Sequence, residues 1–394
     1  MKKNYFLLAA STMMFAACAQ TDLVNEVVTE ETPQAIGFET FANKQTRADE
    51  TPAEPTAENS SATYGWKLSD HHTTFKVWAY KNVSDTKVFD GREVTYTAAS
   101  TGNNGTTIPE KWSYGTPVFW DKTATIYNFY AAAPSSAAWK FIENTTNKEQ
   151  AYFMMENATL SATNFVTTPN YTHLQVLKGS SEGTDVDWMI ADKCNIAPST
   201  EDVPLNFIHI LSRLNIIVKK KNSTDLAITL KSVTVKGLKL KGTFTEGTTT
   251  ANASGTTERW APASTQVTTD YKYETDFALT TDANYVLQSL VIPQNVQYQD
   301  VTTNGENLGD TPEAYLEIIY TINGEQFKAY YNLAAVFGAE AEDNSDNDDE
   351  YQTVAFNEGW QNTLTITIAP ETINFTGNVA TWADGTPANS GTIE

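Results

Sequence analysis

The chain has 394 residues, enough for about two domains of ordinary size, and 40% of them are apolar, so each domain could bury a core. Its 26 lysines and arginines against 48 aspartates and glutamates leave a net charge of −22. Nucleic acids and anionic lipid surfaces repel such a charge, which excludes a basic nucleic-acid-binding protein, and we predict no nucleic-acid partner.

The residue types also disfavour an enzyme. The chain has two cysteines and four histidines, whereas its 18 Tyr, 18 Phe and 9 Trp are typical of β-strands. Because His and Cys supply most nucleophilic, general-base and transition-metal chemistry, we predict no catalytic residue, no metal site and no cofactor.

The N-terminus reads as an export signal. Two lysines precede a short apolar run and small residues in 1–17, which is the pattern of a secretory signal peptide. The following Phe15-Ala16-Ala17-Cys18 resembles a bacterial lipobox, although a bulky aromatic replaces the usual aliphatic residue. We predict cleavage before Cys18 and acylation of its thiol, since several acyl chains give stable anchoring. The alternative is an ordinary signal peptide. Acylation of Cys18 would leave Cys194 as the remaining free thiol, most simply a small core residue.

The next segment contains an isolated strand followed by a break. Residues 19–35 are acidic and polar, typical of a tether, and then Ile36 and Phe38 alternate with small or polar residues as in a half-buried strand. Residues 43–63 lack apolar periodicity and are rich in Pro, Glu, Thr and Ser, which predicts an exposed loop. This loop contains Arg47, and exposed loops are where proteolysis concentrates.

Short strands separated by turn residues fill the rest of the chain. We predict strands at 35–41, 74–80, 93–97, 117–120, 123–133, 186–192, 205–220, 226–240, 285–293, 314–333 and 363–368. Asn323-Gly324, between alternating runs, predicts a type I′ hairpin. The polar, Pro-containing stretch before residue 204 predicts a domain boundary. The pattern indicates an all-β fold of two tandem β-sandwich domains of transthyretin-like type, at 48–203 and 204–394.

Few residues suggest a ligand site. The acidic run 340–350 lacks the glycine of an EF-hand loop, so we interpret it as a solvated loop rather than a calcium site. His71 and His72 are neighbours that a strand would point to opposite faces, which disfavours joint metal binding. His209 lies in an apolar strand and is expected to be a hydrogen-bonded core histidine. A few tryptophans could stack on sugars, namely Trp66, Trp112, Trp139 and Trp260, although most are expected to be core residues.

The order of several segments resembles one known family. A lipobox, an acidic tether and the sequence AIGFETFANKQTRA (35–48) are similar to the N-terminus of the fimbrillin family, the subunits of type V pili on the outer surface of diderm anaerobes. Further similar segments lie at 75–80, 117–134, 187–192, 205–218, 290–294 and 363–382. The similarity spans most of the chain, and Thr-Arg-Ala at 46–48 is its most specific element.

The resemblance implies an assembly mechanism. The subunit would reach the outer membrane as a lipoprotein, and an Arg-specific protease would cut between Arg47 and Ala48. Loss of residues 18–47 would remove the lipid and the strand of Ile36 and Phe38. A neighbouring pilin of the same or another kind would then fill the opened groove with an extended donor strand, which satisfies unpaired backbone groups and apolar surface together.

The C-terminus is the expected donor. After an alternating apolar run, Pro370 breaks the pattern, and a looser alternation resumes before a polar tail. We predict a donor strand at 371–394, with its apolar residues Ile373, Phe375, Val379 and Trp382. The alternative is that these residues only complete their own domain.

These observations predict a structural subunit of a cell-surface fimbria that supports adhesion or biofilm formation and contacts a host surface or glycan. An anchor subunit, which would keep Cys18, or a tip subunit, which would lack a working donor strand, is the nearest alternative. A lipid-anchored surface protein that binds glycans is an alternative from another class, and an enzyme is a third.

Overall fold

The computed structural model describes residues 33–42, 67–82, 86–102, 105–144, 150–162, 186–221, 226–247, 259–263, 270–297, 314–337, 353–369 and 372–381. Cys18, Arg47, Ala48, Trp382 and the acidic run 340–350 therefore lie outside the described residues. All described residues but Pro33 belong to one unit, Gln34–Glu394.

Strands dominate the described part of the chain. Those up to residue 209 are β1 (Phe38–Ala42), β2 (Thr74–Lys81), β3 (Thr86–Thr97), β4 (Ser100–Thr101), β5 (Thr107–Ile108), β6 (Lys111–Ser113), β7 (Tyr127–Ala133), β8 (Lys140–Ile142), β9 (Tyr152–Thr159), β10 (Met189–Ile196) and β11 (Val203–His209). The later strands are β12 (Ser212–Lys220), β13 (Ile228–Lys236), β14 (Lys241–Thr245), β15 (Trp260–Pro262), β16 (Tyr271–Ala278), β17 (Asn284–Val291), β18 (Gln294–Gln297), β19 (Tyr315–Ile322), β20 (Glu325–Asn332), β21 (Thr353–Phe356), β22 (Trp360–Ile368) and β23 (Ile373–Thr381). Two short helices accompany them, α1 (Leu68–His71) and α2 (Leu333–Val336).

The strands form layered sheets. The largest has the order β1-β11-β10-β7-β2-β3-β6, and three four-stranded sheets have the orders β15-β14-β9-β8, β17-β12-β22-β23 and β16-β13-β19-β20. Two-stranded sheets join β18 to β21 and β4 to β5. The prediction of an all-β fold is confirmed.

The seven-stranded sheet is apolar on both faces, which explains why β7 reads as a continuous apolar run. Phe129 and Ala131 of β7 enter one buried cluster, which we call the N-terminal core and which also contains Ile36, Phe38 and Phe207. The alternate residues of β7 enter a larger core, shared with the four-stranded sheets. Sheets stacked around apolar cores are the architecture of β-sandwiches.

The predicted strands agree with the structure where apolar alternation is strong. The segments 74–80, 285–293 and 314–333 correspond to β2, β17 and the hairpin of β19 and β20. Asn323 and Gly324 have φ values of 50° and 88°, as a type I′ turn requires. The strand predicted at 117–120 is wrong, because only Phe119 forms a bridge there, with Ala35.

Two long predicted strands are each divided by the structure. The run 205–220 contains β11 and β12, which belong to different sheets, and 226–240 contains β13 and then irregular chain. Strand β11 begins at the predicted domain boundary and pairs with β1 and β10, while β14 pairs with β9 across it. Both β11 and β14 therefore join sheets that contain earlier strands. The domain division at residue 203 stays a prediction.

Candidate functional site

The first strand closes one edge of the seven-stranded sheet. β1 runs parallel to β11, with Phe38 opposite Val203 and Ala42 opposite Phe207. On its other side, Ile36 N donates a hydrogen bond to Val118 O (2.8 Å), and Trp120 N donates one to Gln34 O (3.0 Å). The segment 34–42 is therefore bound by backbone hydrogen bonds on both sides.

Alternation places one side of this segment in the N-terminal core. Ile36 and Phe38 are 1% and 3% exposed, whereas Glu39 faces solvent. The prediction of a half-buried strand here is confirmed by this pattern. Gly37 fits beside Asp202, where a Cβ atom would overlap the carboxylate of that residue.

Phe38 is the centre of an aromatic cluster. Its ring centroid lies between 5.6 and 6.1 Å from four others in edge-on geometry, those of Phe75, Phe89, Tyr114 and Phe129. The Tyr114 hydroxyl also donates a hydrogen bond to Ile36 O (2.5 Å), and burial raises the pKa of this hydroxyl. Burying a large apolar side chain stabilises a fold by about 1.5–3 kcal/mol, so Ile36 and Phe38 contribute strongly. Without β1, a groove lined by these rings would be open to water.

The predicted donor segment forms an edge strand of a different sheet. β23 pairs antiparallel with β22 over nine residues, from Ile373 opposite Ile368 to Thr381 opposite Trp360. Phe375 packs on Tyr331, with ring centroids 4.4 Å apart. Val379 lies in β23 opposite Asn362, and Trp382 follows the last described residue. In this structure, residues 373–381 complete a sheet of their own chain.

A second buried site brings together residues from three separate segments. Asp187 Oδ2 lies 2.7 Å from His209 Nδ1 and 3.6 Å from His71 Nδ1. His72 is adjacent and 2% exposed, and neither of its ring nitrogens has a hydrogen-bond partner among the described atoms. We call these four residues the His–Asp cluster. The expectation of a hydrogen-bonded core histidine at 209 is confirmed.

The location of the His71-His72 pair differs from the sequence-based interpretation. The two residues lie at the end of α1 rather than on a strand, and both side chains are buried. Burial lowers the pKa of His72 to about 4, and the charges of His71 and His209 lower it further, while Asp187 acts in the opposite direction. Sequence reasoning missed this cluster because residues 71, 187 and 209 have no characteristic spacing.

A third group of buried charges lies beside β14. Arg259 forms an ion pair with Glu358 and packs over the ring of Phe244, 5.5 Å from its centroid. Burial raises the pKa of Glu246 to about 7, and its carboxylate accepts a hydrogen bond from Phe153 N (2.8 Å). The ion pair joins the residue before β15 to the chain before β22, in a different sheet, and the other contacts stay within the sheet of β14.

The tryptophans considered for sugar binding differ in exposure. Trp260 is buried and donates a hydrogen bond to Ile210 O (2.6 Å), whereas Trp112 and Trp139 are half-buried against other aromatic rings. Trp66 lies outside the described residues.

In the described part of the chain, no group of three or more His, Cys, Asp or Glu residues could hold a metal ion. Across those same ranges, no helix is long and apolar enough to span a membrane.

Comparison with known proteins identifies the class. The fimbrillin-like family model matches residues 46–382, so the chain belongs to the fimbrillin-like family. No curated protein matches the chain. Among solved structures, it is similar to a fimbrial protein from Bacteroides vulgatus (15% identity, 89% of this chain and 99% of that one, TM-score 0.46). It is also similar to the C-terminally truncated tip fimbrial protein Mfa3 from Porphyromonas gingivalis (12% identity, 79% and 95%, TM-score 0.37).

Family membership confirms the resemblance seen in the sequence. It supports a role as a fimbrial subunit at the cell surface that assembles with other pilin subunits. It also favours a structural rather than an enzymatic role.

Proposed function

We propose that this protein is a fimbrial subunit that is acylated at Cys18, cut between Arg47 and Ala48, and polymerised by donor-strand exchange in the groove that β1 occupies. The observation that carries the proposal is the position of β1. It is buried like a core strand, yet the chain that joins it to the rest of the fold passes through residues 43–66, which contain Arg47.

The other arginines favour Arg47 as the cleavage point. Arg92 lies within β3, paired to Val77 of β2, and Arg213 is fully buried in β12. Arg259 is held by Glu358. A protease needs an extended, unpaired stretch of chain, so these three arginines are protected by the fold.

Cleavage would convert a covalently attached strand into a replaceable one. After a cut at Arg47, the segment 18–47 has no covalent link to the rest of the fold, and its described contacts are those of residues 34–42. Losing it would expose the backbone edge of β11 and the aromatic lining around Phe38, which another extended strand can cover. A net charge of −22 makes subunits repel, so assembly must rest on such insertion and not on charge attraction.

The C-terminal segment has side chains that fit this groove. The segment 34–42 has Ile36 and Phe38 two residues apart, and β23 has the same pair as Ile373 and Phe375. Residues two apart point to the same side of a strand, so Ile373 and Phe375 of a second subunit could occupy the pockets of the first pair. Donation of the segment 371–394 requires β23 to leave β22, which exposes a sheet edge in the donor subunit.

The remaining partners follow from this scheme. The lipid on Cys18 would hold the precursor at the outer membrane until an Arg-specific protease acts. The assembled fimbria would then mediate adhesion or biofilm formation through a host surface or glycan. An uncleaved anchor subunit or a glycan-binding lipoprotein would instead retain Cys18 at the cell surface.

The test is the mature N-terminus and fibre formation of an Arg47→Ala variant, with Arg92→Ala as the matched control. We expect wild-type protein and the control to begin at Ala48 and to form fibres, because Arg92 is not the cleavage point. The Arg47→Ala protein is expected to keep its lipidated Cys18 and to remain monomeric. A wild-type surface protein that begins at Cys18 would contradict the proposal and favour the anchor or the glycan-binding lipoprotein.

A further inference from the structure

The His–Asp cluster lies where the first strand connects to the rest of the chain. His209 is the last residue of β11, and Ala42, the last residue of β1, pairs with Phe207 two positions earlier. Because the two strands are parallel, the C-terminal end of β1 is next to the end of β11 that bears His209. The helix α1, which carries His71 and begins where the chain returns from 43–66, also contacts β1.

The cluster is sealed from water. The side chains of His71 and Asp187 are 0% exposed, and that of His209 is 4% exposed. Asp187 Oδ1 and both ring nitrogens of His72 have no hydrogen-bond partner in the described part of the chain. Burying these polar atoms costs free energy where their hydrogen-bonding capacity is unmet.

The neighbouring charges are few. From α1 come His71 and His72, from the chain before β10 comes Asp187, and from β11 comes His209. Two other charged groups of the α1 segment, Lys67 and Asp70, are partly exposed, and Lys67 is paired with Glu110 at 2.6 Å. Asp187 is therefore the carboxylate whose negative charge stabilises a positive charge on His72.

We propose that the His–Asp cluster is a pH-sensitive latch that holds the C-terminal end of β1 in place near neutral pH and loosens it in mildly acidic surroundings. Histidine is the side chain whose charge changes in this range. Its role in subunit assembly rests on the proposed function, since only a cleaved strand can leave, but the loosening itself is a property of the intact chain.

The direction of the effect follows from proton linkage. The pKa of His72 is about 4 in the folded protein and 6.5 in its ordinary state. In the window between these values, an opened state binds more protons than the closed state, so stability falls as pH drops from about 6.5 to about 4. If His72 meets solvent when β1 opens, the opening equilibrium rises about 30-fold between pH 7.5 and pH 5.0.

The experiment is hydrogen–deuterium exchange of the intact chain at pH 7.5 and pH 5.0, read as protection factors, which correct for the intrinsic pH dependence of exchange. All proteins carry Arg47→Ala, so that no cleavage can contribute. The variant is His72→Gln, which cannot be protonated, and the matched control is His173→Gln, because His173 is the one histidine outside the cluster. A second variant, His72→Asn, replaces the ring with a smaller side chain that also cannot be protonated.

We expect the peptide covering 34–42 to lose about 30-fold protection at pH 5.0 in the parent and in His173→Gln, and less than about threefold in His72→Gln. Peptides from β19 and β20 are expected to change much less. His72→Asn should show the same small loss at 34–42 as His72→Gln, and it remains decisive if His72→Gln does not fold. The latch would be overturned if the parent had the same protection at 34–42 at both pH values, or if both cluster variants lost as much protection as the parent. An equal loss in β19 and β20 would also overturn it. Failure of cleavage at Arg47 in the earlier experiment would overturn the assembly mechanism and leave this result standing.

Discussion

β1 and β23 both lie at sheet edges, and an Ile-x-Phe pair begins β23 and leads into β1, but the two strands are held in different ways. Ile36 and Phe38 are buried, and Phe38 contacts four aromatic rings, while β1 itself pairs with β11 over only five residues. β23 pairs with β22 over nine residues, yet Ile373 and Phe375 are only half-buried. Side-chain burial contributes most to holding β1 in place, whereas backbone hydrogen bonds to the neighbouring strand contribute most at β23.

This difference separates what an acceptor needs from what a donor needs. An acceptor groove gains most from a strand whose side chains fill pockets, because apolar burial supplies most of the binding free energy there. A donor strand must leave its own sheet at low cost, and half-buried side chains on an edge make departure less costly. The contrast therefore fits the proposal that β1 is the strand that is replaced and that the C-terminal strand of another subunit replaces it.

The largest expected effect tests side-chain burial at the two edges. Phe38→Ala should lower the free energy of unfolding by about 3–5 kcal/mol, because it leaves a cavity among four rings. The matched change Phe375→Ala should cost about 1–2 kcal/mol, because that ring is half-buried. Urea unfolding monitored by fluorescence measures both, and equal losses would contradict the distinction.

An intermediate effect tests backbone packing at the same two edges. Gly377→Ala should destabilise by about 1–2 kcal/mol, because the added Cβ meets backbone atoms of α2 and its neighbour, Val336 O at 3.1 Å and Phe337 Cα at 3.0 Å. Gly37→Ala should cost less than about 1 kcal/mol, since the Asp202 side chain that it meets can rotate away. Thermal unfolding of the two variants gives the comparison, and the reverse order would show that Asp202 is fixed.

The smallest expected effect tests the single hydrogen bond from Tyr114 to the segment 34–42. Tyr114→Phe keeps the ring beside Phe38 but removes the donor to Ile36 O, so it should cost about 1 kcal/mol. Tyr96→Phe serves as a control, because its hydroxyl bonds to exposed Glu110. Hydrogen exchange of the 34–42 peptide should rise in Tyr114→Phe alone, and an equal rise in both variants would argue against a specific contact.

Much of the fold is predictable because its signals are local. Alternation identifies β1, β2 and the hairpin at Asn323-Gly324, since period-2 patterning and a positive-φ turn depend on adjacent residues. The run 205–220 resembles one strand because a continuous apolar sequence carries no mark of where a strand changes sheet. The prediction of a strand at 117–120 is wrong for a related reason, since this apolar run forms only an isolated bridge, from Phe119 to Ala35, and no full ladder.

The sequence by itself determined the all-β class, the buried alternation of Ile36 and Phe38, the family resemblance and the single arginine of the 43–63 segment. Only the tertiary structure decided which rings surround Phe38, that β1 pairs in parallel with β11, and that His71, His72 and His209 meet at Asp187. The reason is physical: local patterns specify strands and turns, whereas contacts between residues far apart in the sequence depend on how the sheets are ordered.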